Sequence, residues 1–157
     1  MREFWVGYGI IALIVVLALA PLWHFMPTKR QRHQAQLRES AALAGLFVEF
    51  RDLPLGPERL ARLSASDRQV LYYGIRLPAS RKATRQRHAW YRERDGWSSR
   101  PGRLEAPSIV AGLPDAILAI AVSEESCGVF WQEQGDESMV REIALLLERW
   151  KADLLST

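Results

Sequence analysis

Cysteine is nearly absent: Cys127 is the only one in 157 residues, which excludes a disulfide framework. Three histidines (His24, His33 and His88) stand in three separate segments, too few and too scattered for a Cys/His zinc site. No HExxH, GxSxG, phosphate-binding loop or GxGxxG occurs, and there is no internal repeat or low-complexity stretch. These absences predict a non-enzymatic protein with no catalytic residues, no metal and no cofactor. Glu124 and Glu125 beside Cys127 do not change that, because neighbouring negative charge raises a thiol pKa and opposes a reactive thiolate. Apolar residues make up 48% and charged residues 25%, so wholesale disorder is excluded and about one folded domain is expected.

Charge is present but unevenly placed. Residues 27–103 carry 17 Lys and Arg against 7 Asp and Glu, whereas residues 104–157 carry 3 against 10. A net of +10 followed by a net of −7 makes this part of the chain dipolar, although the total is only +3.

Residues 4–26 hold no acid, Lys or Arg. A helix over these 23 residues would be about 34 Å long at ~1.5 Å per residue, enough for a ~30 Å hydrocarbon core. Trp5 and Tyr8 near one end and Trp23 at the other suit the two lipid interfaces. A cleaved signal peptide, with Ala18-Leu19-Ala20 as its cutting site, is the competing reading. The single Arg2, the length of the apolar run and Pro21 oppose it. Lys29, Arg30, Arg32 and Arg38 follow the run and only Arg2 precedes it, so the positive-inside rule places the N-terminus outside and the remainder in the cytoplasm. Lys29, Arg30 and Arg32 are also candidates for contact with anionic lipid.

The segments are expected as an anchor over 1–27, a basic stalk helix over 28–45 and an α+β domain over 46–157. Leu37, Ala41 and Ala44 give the stalk a weak apolar stripe, and Gly45 can end it. Alternation predicts strands over 46–53 and 70–77, and Asp95 with Gly96 predicts a type I′ hairpin turn. Residues 117–122 are continuously apolar and read as a central strand, with 127–132 returning as its hairpin partner. Val140, Ile143, Leu147, Trp150 and Leu154 mark an amphipathic C-terminal helix capped by Asp136. The fold class is therefore α+β: one transmembrane helix, then a small domain of five or six mostly antiparallel strands with that helix on one face.

The run from Met26 through Pro27, Thr28, Lys29, Arg30, Gln31, Arg32, His33, Gln34, Ala35, Gln36 and Leu37 to Arg38, placed after the apolar stretch, resembles the YajC family of Sec translocase accessory subunits. The resemblance covers the first quarter of the chain. It implies a bacterial inner-membrane subunit that works in protein transport by contact and has no catalytic residues.

Arg81, Lys82, Arg85, Arg87, Trp90, Arg92 and Arg94 form a basic-aromatic stretch, with Trp90, Arg92 and Arg94 on one strand face. This stretch is the candidate partner-binding surface. Nucleic acid would ask for a larger basic area, so lipid or protein is favoured. The functional expectation is an accessory subunit docking on a larger membrane complex, a translocase among the possible ones. The alternative is a tethered adaptor that binds lipid or protein through its basic surface.

Overall fold

The computed structural model describes residues 2–19, 28–64, 70–78, 87–100 and 104–156. Two compact units are present, residues 1–33 and 34–157.

In the first unit, α1 spans Arg2–Leu19. Among the described residues no helix is long and apolar enough to cross a membrane. α1 has 18 residues and opens on Arg2 and Glu3, leaving 16 uncharged ones. The expectations of a transmembrane, single-pass, inner-membrane protein with its N-terminus outside are corrected on this ground. They required a helix through residue 26, and residues 20–27 lie outside the described residues.

α2 spans Lys29–Leu43. Its start is a capping box: Gln31 N–H donates to Thr28 Oγ1 (3.3 Å), and Thr28 N–H donates to Gln31 Oε1 (2.8 Å). Its end is a Schellman turn, in which Leu46 N–H reaches Ala41 O (2.9 Å), Gly45 N–H reaches Ala42 O (3.1 Å) and Gly45 takes φ +79°. Leu37 and Ala41 of the apolar stripe are fully buried in the core cluster, while most of the other α2 side chains are exposed. The second compact unit begins at residue 34.

The second unit is α+β. Among the described residues six strands, β1 (Phe47–Glu49), β2 (Leu71–Arg76), β3 (His88–Glu93), β4 (Gly96–Arg100), β5 (Ile117–Val122) and β6 (Ser126–Trp131), form one sheet in the order β1-β2-β6-β5-β3-β4. Every neighbouring pair is antiparallel. The apolar runs of β5 and β6 lie in the middle, where both faces need cover. On one face α4 (Glu137–Ser156) brings Val140, Ile143, Leu147 and Trp150 against Tyr73, Ile120, Val129 and Trp131, with Leu37 and Ala41 of α2 in the same cluster. On the other, Tyr72, Tyr91, Ala119 and Phe130 are covered by Leu53, Leu55, Leu60 and Leu63, the last three from α3 (Pro57–Arg62) and its flanks. Asp136 caps α4, accepting from the Ser138 hydroxyl (2.5 Å) and from the N–H groups of Ser138 (3.0 Å) and Met139 (3.2 Å); the hydroxyl bond first, then the backbone bonds, hold its carboxyl below the usual range.

Two local expectations shift. β1 ends at Glu49 instead of running to 53. The β3–β4 hairpin pairs Glu93 with Gly96, so Arg94 and Asp95 form the loop. Neither has positive φ, which a type I′ turn requires; the unusual φ (+136°) sits on Gly96.

Candidate functional site

The basic-aromatic stretch does not assemble into one surface among the described residues. β3 lies between β5 and β4, and Trp90 is on the face that packs against α4. Trp90 is therefore buried, donates Nε1–H to Glu105 O (3.1 Å) and meets the Trp150 ring edge-on at 6.3 Å. Arg92 binds Asp115 (2.6 Å) and the carbonyls of Leu113, Pro114 and Ile117, and stacks on Trp97. It clamps the segment before β5 and presents no open charge. Arg87 and Arg94 remain exposed, but just beyond opposite ends of β3, about 23 Å apart at ~3.3 Å per residue. Lys29, Arg30 and Arg32 are exposed on the first turn of α2, and Tyr8 is exposed on α1. Trp23, Arg81, Lys82, Arg85 and the side chain of Trp5 lie outside the described residues.

Cys127 is fully buried, while Glu124 and Glu125 stand exposed at the β5–β6 turn. Among the described residues no three His, Cys, Asp or Glu side chains converge to hold a metal.

Two other places are built for contact. The first is the outer side of β1, an edge strand with no second strand paired to it among the described residues. A groove of about 440 Å³ runs there between β1 and the end of α2, lined by Ala42, Leu46, Phe47, Val48, Phe50 and Leu71, with Arg38 at its margin. Phe50 is 86% exposed and Leu43, beside Ala42, is 85% exposed. Large apolar side chains this open are ordinary singly, but here they flank an uncovered strand edge.

The second is an open cleft of about 950 Å³ at the end of the sheet where β1 runs out, β3 begins and β5 turns into β6. Its wall rests on a glycine pair. Gly74 of β2 and Gly128 of β6 are register partners. A Cβ on Gly74 would come 2.5 Å from the Tyr72 ring, and one on Gly128 would come 2.6 Å from it. The two glycines thus let Tyr72 lie flat across the strands. Its hydroxyl reaches Ser126 Oγ (3.3 Å), and Ser126 Oγ is 3.1 Å from Ser123 Oγ. Burial pushes the Tyr72 phenol up to about 12, partly offset by the Ser126 hydrogen bond and nearby Arg51. On the ring lies the Arg51 guanidinium, Cζ 4.0 Å from the centroid, with Glu49 2.8 Å from its Nε and Nη2. Arg87, His88, Asp52, Glu124 and Glu125 complete the lining.

Neither place was singled out from the sequence. The only local signal was a glycine inside each of two apolar strands, which marks a close approach. Compared with known proteins, the chain matches no family model, no curated protein and no solved structure.

Proposed function

We propose that this protein is a non-enzymatic interaction module that binds an extended segment of a partner protein along the outer side of β1. The observation that carries this reading is the exposure of Phe50 beside an unpartnered strand edge and an apolar groove. An added strand would satisfy the outward backbone groups of β1, and alternate apolar side chains would fill the groove next to Phe50 and Leu46. An accessory subunit acting by contact, as the YajC resemblance implies, is compatible with such a module.

The test is titration of the isotope-labelled full chain with an alternating Val–Thr heptapeptide and with the same peptide N-methylated at alternate amides. Amide shifts confined to residues 42–50 and 71 are expected, with at least about tenfold weaker binding of the N-methylated form. Equal binding of both peptides, or no shifts at ~1 mM peptide, overturns the reading.

A further inference from the structure

Arg51 is held in an unusual way. One flat face of its guanidinium lies on Tyr72, a ring that is itself 1% exposed and seated on Gly74 and Gly128. Its Nε and Nη2 edge meets Glu49, and its Nη1 points toward Ser126 Oγ at 3.5 Å. The edges that would grip a carboxylate or phosphate are therefore engaged, and Glu49 compensates the charge. What remains is the second flat face. The side chain keeps 36% exposure and lines the cleft, and the Phe47 ring stands beside it, its centroid 5.7 Å from Cζ. A guanidinium face is weakly hydrated and stacks well on π-systems.

The surrounding groups complete the selection. Asp52, Glu124 and Glu125 supply acceptor-only oxygens, and Ser123 adds a hydroxyl that already shares bonds with Ser126. Three carboxylates against Arg51 and Arg87 disfavour a polyanion and suit a ligand that brings N–H donors. The cavity volume falls within the range of small-molecule sites. We infer that this cleft binds a planar nitrogen heterocycle carrying amino groups, of the nucleobase class, stacked on the outer face of Arg51. Observations separate from the β1 groove carry this inference, and it does not depend on the peptide-binding reading.

The experiment titrates the isotope-labelled full chain with adenosine, guanosine, AMP, ribose 5-phosphate and inorganic phosphate. Adenosine or guanosine is expected to shift amides of residues 51–54, 87–89 and 121–126. AMP should bind within about threefold of adenosine, and adenosine binding should change little between low and high salt. Arg51→Lys keeps the charge but loses the flat face, and should weaken nucleoside binding at least about tenfold. Asp52→Asn should weaken adenosine more than ribose 5-phosphate. Shifts from phosphate or ribose 5-phosphate as strong as those from AMP would overturn the proposal in favour of an anion site. Absence of nucleoside shifts at ~5 mM, or an unchanged affinity in Arg51→Lys, would also overturn it. The shift map on the unaltered protein stands even if a variant misfolds.

Discussion

Arg38 and Glu133, 95 residues apart, are joined by two hydrogen bonds: Nε to Oε1 at 2.7 Å and Nη2 to Oε2 at 2.8 Å. Tyr73 donates its hydroxyl to the same Oε1 at 2.8 Å. The pair ties α2 to the segment after β6. The Glu133 side chain is 4% exposed and the Arg38 side chain 41%, so the two partners face very different solvents. Glu133 also holds φ +55°, the sole non-glycine residue with positive φ among those described. Burial, followed by the bond to Glu133, raises the Tyr73 phenol well above its ordinary value; the carboxylate bond raises Arg38 further.

This asymmetry fixes the outcome of two substitutions. Arg38→Met leaves a buried carboxylate with Tyr73 alone and is expected to cost about 3 kcal/mol. Glu133→Gln leaves an arginine that still reaches water and keeps an acceptor for Tyr73, and should cost about 1 kcal/mol. Urea unfolding of the two variants measures both; equal costs would contradict the assigned burial.

The glycine pair under Tyr72 gives a second, sterically graded expectation. A Cβ on Gly128 would collide with the Tyr73 carbonyl and, at 2.8 Å, with Gly74 Cα, both of them backbone. A Cβ on Gly74 meets only side chains, Tyr72 at 2.5 Å and Phe47 at 2.7 Å. Gly74→Ala should cost about 1–3 kcal/mol and Gly128→Ala more. Adding Tyr72→Ala should recover part of the Gly74→Ala loss and little of the Gly128→Ala loss, as a double-mutant cycle would read.

Tyr72 also sets an alkaline limit. Its phenol ionises near 10 when unfolded and at about 12 when folded. Folding thus favours the neutral form. The contribution is complete below pH 10 and disappears as pH rises from 10 through 12. Phenolate absorbance should show a delayed ionisation that Tyr72→Phe removes, and the unfolding midpoint of the unaltered protein should fall across that window.

The basic residues near β3 separate cleanly. Arg92→Ala removes one ion pair and three bonds to carbonyls and should destabilise by about 1–3 kcal/mol. Arg87→Ala and Arg94→Ala, on exposed residues, should stay within about 0.5 kcal/mol of the parent. Thermal melts of the three variants decide the matter.

Elements governed by short-range pattern were readable from the residues. The 3–4 spacing of Val140, Ile143, Leu147 and Trp150 marked α4, and Asp136 marked its start. The six apolar residues of β5 marked the centre of the sheet. The role of α2 was hidden, because only Leu37 and Ala41 bury and the helix is held by a bond to a residue 95 positions away. Trp90 and Arg92 looked like a surface because their chemistry is that of a binding strand; Trp150 of α4 and the segment 105–117 turn them into core and clamp. The cleft depends on Arg51, Tyr72 and Ser126, which lie on or beside three different strands, and no local spacing brings them together. The N-terminal apolar run illustrates the reverse: its composition suited a span, but among the described residues no helix is long and apolar enough to cross a membrane.

The strand order carries a consequence for biosynthesis. β2 has β1 on one side, but its other neighbour is β6, with Leu71 opposite Trp131 and Arg76 opposite Ser126. While the ribosome is still making the segment between them, the apolar side chains of β2 have no lasting shelter on that flank. Non-local pairing of this kind closes slowly and leaves nascent chains prone to clumping. A holding chaperone that covers Leu71, Tyr73 and Ile75 until Trp131 has emerged would raise the yield of folded product, and truncation before β6 would leave only insoluble material.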